Sequence, residues 1–394
     1  MVTYPEDWKE EKIGVIFDVL AGGDVKKEFF SRIHTSVHKY EVYSNCIENR
    51  GLYGYTSKAI YPENSLTVTA RGTIGKAYYR KDDYDAIIRL LVLIPKSSEI
   101  KPKFYEYFIN SQVQFDKENT GVPQLTVPKI KEKEVPTFTG IEQERIIETL
   151  EYFDLHIDNL TELIEKKRNI RDGALEDLVS GRTRLKGFHD AWIEYSFDDF
   201  FTLLSNNTLS RDKLSRNGII GNIHYGDVLI KYQNCLTSKD EIPYIKKCID
   251  TKSFKLLQVG DVIIADTAED ETVGKAIQIC DVSIPVVGGL HTIICRPNYN
   301  TTLGYLGYYI NSKCYHDQLY PYITGIKVSS ISKKAIKTTF LKIPSSIDEQ
   351  KEIVHIIAAM DEEIDDLESE RDKIMQIREG AMDDLLTGRV RLKA

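Results

Sequence analysis

The chain has 394 residues, with 52 Lys and Arg against 60 Asp and Glu and a net charge of −8. Its hydrophobic content of 42% and charged content of 28% are those of an ordinary globular protein, and the length fits two or three domains. No apolar run reaches membrane-spanning length, and the acidic, polar opening MVTYPEDWKEEKIG is not a secretory signal.

Residues 1–140 are rich in β-branched and aromatic residues. NSLTVTARGTIGKAYY (64–79) and AIIRLLVLIP (86–95) read as strands bounded by Gly, Pro and Asp turns. The glycines of RGTIGKA suit a hairpin bend. His34 and His38 stand at H-x-x-x-H spacing, but no third ligand accompanies them, so no metal site is expected.

A long helix follows. Ile146, Leu150, Phe153, Ile157, Leu160 and Ile164 step by four and three, the heptad seam of a coiled coil. Thr139-x-x-Glu142 predicts a capping box at its start, with Pro136 just upstream. Gly181 suits a left-handed cap at its end, and Arg182, Arg184 and Lys186 place positive charge there.

Residues 189–346 return to the first pattern. GDVLIKY (226–232), GDVIIAD (260–266) and TIICRP (292–297) read as strands. GTIGKA (72–77) is echoed by ETVGKA (271–276), and TGVPQLTVPKI (120–130) by TGIKVSSISKK (324–334). Asp266, Glu269, Asp270 and Glu271 cluster in ADTAEDE, which reads as a solvated turn. Cys46, Cys235, Cys248, Cys280, Cys295 and Cys314 form no C-x-x-C pair and are expected to be free thiols.

Residues 349–393 then repeat residues 142–186 without a gap, at an offset of 207 and with about two fifths of positions identical. Ile353, Ile357, Met360, Ile364 and Leu367 repeat the seam. Ser346-x-x-Glu349 repeats the capping box, Pro344 the upstream proline, and Gly388 the end. LVSGRTRLK is rewritten as LLTGRVRLK, with Arg389, Arg391 and Lys393 at the end of the second copy. Matched register, caps and length predict that the helices pair with each other. The charge deficit lies in these helical segments, at −4 and −7, while the two globular segments stand at +1 and +2. Nearly neutral domains can still present a basic face to phosphates.

No methyltransferase tetrapeptide, nucleotide-binding glycine loop or Ser/His/Asp constellation is present, so no catalytic residue and no cofactor are expected. The expected fold is α/β (α+β). Two globular domains (1–140 and 189–346) are joined by two long antiparallel coiled-coil helices (141–188 and 347–394) with pseudo-twofold symmetry.

Two variable domains, each opening near a Trp (Trp8, Trp192), alternate with helices that start with EQ after a proline and end L-x-[ST]-G-R-x-R-L-K. This organisation resembles the specificity subunit of Type I restriction–modification enzymes over the whole chain. GDVIIADTAEDETVGKAIQI, continuing to VVGGLHTIICRP, also resembles one recurrent type of target-recognition domain. The resemblance implies a cytoplasmic, non-catalytic subunit of a DNA-methylating, phage-defence system. Its two target-recognition domains would each read half of a split, asymmetric double-stranded DNA target. The paired helices would set the unread gap and dock methyltransferase subunits, two in number, to which motor–nuclease restriction subunits attach; no membrane is involved. A helix of about 40 residues spans about 60 Å, ample for half-sites about 34–36 Å apart.

Residue chemistry then nominates contacts. Arg and Lys suit guanine, Asn and Gln suit adenine, and Lys, Arg, Ser, Thr and Tyr on loops suit phosphate. The first domain offers Arg32, His34, Arg50, Tyr53, Tyr55, Arg71 and Lys76, and the second Arg211, Lys213, Lys231, Gln233, Asn234 and Lys275. Two other classes stay open: a coiled-coil scaffold joining two protein-binding domains, and a stand-alone DNA-modifying enzyme with unrecognised motifs.

Overall fold

A computed structural model of the chain describes residues 4–115, 124–270, 272–325 and 327–392. It divides into two compact units, Met1–Thr161 with Ser369–Ala394, and Glu162–Glu368. Each unit therefore takes one part of each long helix.

In the first unit the strands run β1 (Lys9–Lys12), β2 (Phe17–Ala21), β3 (Phe30–Ser31), β4 (Tyr40–Tyr43), β5 (Leu52–Thr56), β6 (Ser65–Val68), β7 (Ala77–Arg80), β8 (Tyr84–Ala86), β9 (Leu91–Pro95) and β10 (Glu134–Thr137). Helices α1 (Ile13–Ile16), α2 (Pro102–Gln112) and α3 (Val127–Lys131) precede the long α4 (Gly140–Ser180). The strands form two four-stranded sheets, ordered β2-β9-β6-β7 and β3-β5-β4-β8, and a β1-β10 pair. RGTIGKA does turn between the antiparallel β6 and β7. AIIRLLVLIP is not one strand: it breaks between β8 and β9, where Ile88 and Arg89 take φ of 56° and 61°.

The second unit contains β11 (Trp192–Ser196), α5 (Phe197–Phe200), β12 (Phe201–Leu204), β13 (Leu214–Ser215), β14 (Gly221–Ile223), α6 (Tyr225–Ile230), β15 (Cys235–Leu236) and β16 (Tyr244–Ile245). It continues through β17 (Val262–Ala265), β18 (Thr267–Ala268), β19 (Ala276–Ile279), β20 (Val286–Gly288), β21 (Thr292–Pro297), α7 (Tyr305–Asn311), α8 (Lys313–Leu319), β22 (Ser329–Ser330), α9 (Lys333–Ile336) and β23 (Phe340–Pro344). The second long helix, α10 (Ile347–Leu386), follows. Its sheets, β12-β21-β17-β19-β15 and β13-β16-β14-β20, repeat the order of the first unit with β15 added at one edge.

GDVLIKY is helical, not a strand. His224 Nδ1 accepts the Gly226 N–H at 3.3 Å, capping the start of α6, while Asp227 and Val228 turn inward and Ile230 outward. The expectation of six free thiols also fails, because Cys235 and Cys280 are joined in a disulfide, their Cα atoms 5.8 Å apart. Parallel pairing of β15 with β19 brings them together, a juxtaposition that sequence spacing does not reveal.

The faint echoes have local causes. Asn110 accepts the Ala77 N–H and donates to the Ala77 carbonyl, both at 2.9 Å, and Asn311 does the same to Ala276 at 2.8 Å. These bonds tie α2 and α7 to the strands that follow the two G-K-A turns. Glu271 and Ile326 of the second echo, and Thr120 to Pro123 of the first, lie outside the described residues.

The repeated helix text is spent on contacts inside each unit. In the first, Arg391 donates to both Glu142 oxygens at 2.6 and 2.7 Å, and to Asp7 at 2.7 Å. In the second, Arg184 donates to Glu349 at 3.0 and 2.7 Å. The capping boxes are thus half-formed. Thr139 and Ser346 accept the N–H groups of Glu142 and Glu349 at 3.4 and 3.3 Å, but the glutamate side chains serve the arginines instead. The neighbouring glutamines bind each helix start to its domain. Gln143 accepts the Lys101 N–H and Gln350 the Thr302 N–H, at 3.0 and 2.9 Å.

The first arginine of each G-R-x-R folds back on its own helix, Arg182 on Asp177 and Arg389 on Asp384. Gly181 and Gly388 hold φ of 73° and 72°, the left-handed cap that glycine permits. Lys393 lies outside the described residues.

Helix pairing is antiparallel within each unit. Asp154 meets Arg378 at 2.5 Å in the first, and Arg171 lies 3.4 Å from Asp361 in the second. A tyrosine of the local domain completes each contact, Tyr107 on Asp154 at 2.8 Å and Tyr308 on Asp361 at 2.7 Å. Ile146 and Leu150 join the first domain core beside Leu385 and Leu386. Ile353 and Ile357 join the second beside Leu175, Leu178 and Val179. Burying one such side chain contributes about 1.5–3 kcal/mol, which welds helix ends to domains. Leu160, Ile164 and Ile364 are also buried, while Phe153, Ile157, Met360 and Leu367 are half-buried.

Candidate nucleic-acid interface

Four nominated residues of the first unit meet at the edge strand β3. The Arg32 guanidinium lies 4.1 Å from the Tyr53 ring centre and donates to the Tyr53 carbonyl and hydroxyl, both at 3.0 Å. The His34 and Tyr55 rings meet edge-on at 5.1 Å. Antiparallel pairing of Phe30–Ser31 with Tyr55–Thr56 fixes this arrangement. The loop beyond β3 also exposes Ile33 and Val37.

Arg50 stands elsewhere, donating to Glu106 at 2.9 Å and to the Tyr79 carbonyl at 3.1 Å. Glu106 is almost wholly buried, so this arginine neutralises an interior carboxylate. Arg71 and Lys76 are exposed on the β6–β7 turn, with no ion pair among the described residues.

In the second unit Arg211 and Lys231 converge on Asp227, at 3.0 and 3.7 Å. Both line a groove of about 640 Å³ that also contains Arg216, Asp240 and Tyr244. Lys213 pairs with Asp212 at 3.2 Å. Gln233, Asn234 and Lys275 line a different cleft of about 930 Å³, walled by Arg168, Arg171 and Lys313. Two of them are engaged in the fold: Asn234 accepts from Asn311 at 2.7 Å, and Lys275 donates to the Leu229 carbonyl at 2.9 Å. Burial pushes the Lys275 ammonium below its usual range.

Arg216 is the residue that reading the sequence missed. It follows β13 as Arg32 follows β3, after a one-turn 3-10 helix in each case. Ser31 bonds the Ile33 carbonyl at 2.7 Å and Ser215 the Asn217 carbonyl at 2.8 Å, so the two Ser-Arg corners share one geometry. The signal was the Ser-Arg pair itself, in FFSR and KLSR, hidden because the loop lengths around it differ.

The cluster ADTAEDE takes a different form from a bare solvated turn. Thr267 donates to Asp266 Oδ1 at 2.8 Å, and His291 Nδ1 lies 3.2 Å from the same oxygen and 3.3 Å from the Thr267 hydroxyl. A nucleophilic triad needs the carboxylate on one ring nitrogen and the hydroxyl on the other. Here one nitrogen faces both, so His291 cannot relay a proton from Thr267 while Asp266 orients it. Glu271 lies outside the described residues. Among the described residues no group of three or more His, Cys, Asp or Glu could hold a metal ion, and no helix is long and apolar enough to cross a membrane.

Two units of one sheet order, each packed on its own segments of α4 and α10, form a duplicated architecture. The family model for the Type I restriction modification DNA specificity domain matches residues 5–168 and 189–376, and the chain belongs to that family. S.MpnORF89P of Mycoplasma pneumoniae, a type I specificity subunit by name, is 31% identical over 176 residues, 43% of this chain and 52% of that one. The Type I restriction enzyme MjaIX specificity subunit of Methanocaldococcus jannaschii is 26% identical over 181 residues, 42% of this chain and 41% of its own. The chain thus spans about half the length, or less, of these curated relatives.

Among solved structures, the S subunit of the Type-I restriction–modification system of M. genitalium aligns with a TM-score of 0.58 at 20% identity, over 98% of this chain and 97% of that one. A chain from a type I R-M system, solved in a study of complex assembly and conformational transition, aligns at 0.60 and 13% identity, over 98% and 100%. Both likenesses are of fold.

Proposed function

We propose that this chain is the DNA-specificity subunit of a Type I restriction–modification complex and catalyses no reaction itself. Residues 1–140 and 189–346 serve as two target-recognition domains, each binding one half of a split, asymmetric duplex target. The helical segments 141–188 and 347–394 set the gap between half-sites, give the chain its pseudo-twofold symmetry and dock two methyltransferase subunits. Restriction subunits join through the methyltransferase, and the assembly works in the cytoplasm.

The observation that carries this reading is the duplication of one scaffold with different side chains on it. Sheet order, helix clamps and Ser-Arg corners repeat, while the exposed residues around them differ. A protein reading two unlike half-sites needs that combination. Arg32, His34, Tyr53 and Tyr55 in the first domain, and Arg211, Lys213 and Lys231 in the second, are assigned to DNA, with Arg216 added. Arg71 and Lys76 are assigned to the same role from their exposed turn. Arg50, Gln233, Asn234 and Lys275 are secondary assignments, since all four lie apart from those clusters.

The test is a gel shift and methylation assay of the chain with its co-purified methyltransferase subunit, beside the chain alone. Sequence-specific adenine methylation is expected from the complex and no S-adenosylmethionine turnover from the chain. Exchanging residues 8–136 for those of a relative should change one half of the target only; a change in both halves would refute the modular reading.

A further inference from the structure

In the first unit the chain passes from one sheet to the other through the turn between β8 and β9; in the second it does so between β20 and β21. At the same place in each turn, six residues before the proline that ends the next strand, stands an exposed residue in left-handed backbone. Arg89 precedes Pro95 with φ of 61°, and His291 precedes Pro297 with φ of 56°. Ile88, beside Arg89, takes φ of 56°. Left-handed backbone is uncommon outside glycine and is an outlier for a β-branched residue.

Surrounding bonds impose it. Ile88 N–H donates to the Gly23 carbonyl at 2.9 Å, Arg89 N–H to Gly22 at 3.3 Å, and Asn45 to the Ile88 carbonyl at 2.6 Å. In the second unit Asp266 N–H donates to the His291 carbonyl at 3.1 Å, and Tyr225 N–H to the Leu290 carbonyl at 3.3 Å. Conformations held against their preference cluster where a side chain has a task.

The neighbours of the two turns also correspond. Asn45 accepts the Ala70 N–H at 2.6 Å, which sets the Arg89 turn beside Arg71, itself bridged to Gln124. Asp266 and Thr267 occupy the places of Ala70 and Arg71, and Thr267 pairs with Ser330. One rim therefore presents Arg71, Arg89 and Gln124, and the other Thr267, His291 and Ser330. Arg89 has no ion pair among the described residues.

We propose that Arg89 and His291 are specificity-determining residues, each reading a base edge in its own domain's half-site; this rests on the DNA-recognition reading above. Arg89 offers paired guanidinium donors, matched to the two acceptors on the major-groove edge of guanine. His291, with Nδ1–H given to Asp266, presents Nε2 as an acceptor for the exocyclic amine of adenine or cytosine. The two turns thus give one scaffold two different readers.

The experiment uses the chain co-purified with its methyltransferase subunit. Methylated adenines are mapped genome-wide, and rates are compared on duplexes differing at single positions. Arg89→Ala and Arg89→Gly should both lose discrimination at one position of one half-site by about 5- to 150-fold and leave the other half intact. His291→Ala should do the converse. Arg89→Gly separates reading from folding, since glycine accepts this backbone without strain. It should melt no lower than the parent while losing specificity. Unchanged base preference in Arg89→Gly, or equal weakening on every sequence, would overturn the assignment while leaving the DNA reading in place. A parent complex that methylates no split target would remove both.

Discussion

The guanidinium of Arg391 grips both carboxylate oxygens of Glu142, 249 residues earlier, at 2.6 and 2.7 Å. Arg184 and Glu349 make the matching grip in the second unit. The end of each repeat thereby holds the start of the other, which explains why glutamate opens both helices and why the motif carries a second arginine.

The grip should be measurable as a coupling. Arg391→Ala and Glu142→Gln should each cost about 2 kcal/mol, as charged hydrogen bonds do, and the double variant little more than either alone. Urea unfolding of the four proteins reads this directly. Additive costs would mean that the two side chains do not act together.

Acid and base should act oppositely on two carboxylates. The Arg391 hydrogen bonds hold Glu142 below its usual range. Its contribution is present above the unfolded carboxylate value and lost as pH falls through the folded one. Burial pushes Asp361 upward, against Tyr308 and Arg171, which lower it. Its contribution is present below the unfolded value and fades as pH rises through the folded one. Unfolding midpoints over about pH 3–7 should therefore show Glu142→Gln losing most against the parent at the upper end. Asp361→Asn should lose least there.

The Cys235–Cys280 disulfide closes a separation of 45 residues. Oxidised protein should exceed reduced protein in stability by about 2–4 kcal/mol. Denaturant midpoints with and without dithiothreitol test this. Cys235→Ser should abolish the difference, and a parent insensitive to the reductant would contradict it.

Seventeen residue steps separate Asp154 from Arg171, and seventeen separate Asp361 from Arg378. Deleting Ile157–Leu163 alone leaves ten against seventeen, so one of the two ionic contacts must break and folding should suffer. Deleting 364–370 as well restores the match and shortens the helix by about 10.5 Å, or about three base pairs. Activity should fall because the half-sites turn by roughly 100°. Methylation that survives should lie on targets with a shorter gap and unchanged halves. Full methylation of the original targets would refute a spacing role for the helices.

The helices were legible because their signals are local. A 3-4 apolar step, a Ser or Thr cap and a glycine stop each act within one or two turns, and α4 and α10 follow them. The role of the arginines was not legible. Arg184 and Arg391 read as helix-end charges, whereas their carboxylates come from the far helix. GDVLIKY misled because a run of aliphatic residues suits a strand, but a histidine cap and an inward Asp227 made it helical. At the candidate interface, Arg32 with Tyr53 and Arg211 with Lys231 were nominated from composition and found together. Arg216 and Arg89 were passed over because their positions depend on strand pairing and on backbone handedness.

The first unit is assembled from both extremities of the sequence, Met1–Thr161 and Ser369–Ala394, whereas the second is one uninterrupted stretch. During synthesis, Trp8, Ile146 and Leu150 emerge long before Leu385 and Leu386, the side chains that complete their core. The second unit can close as soon as its own residues are made. The first must wait with an open apolar seam while the remainder of the chain is translated, a delay that exposes it to aggregation. A released fragment ending at Glu368 should resist protease across the second unit and be cut within the first, whereas the chain that includes residues 369–394 should be protected in both.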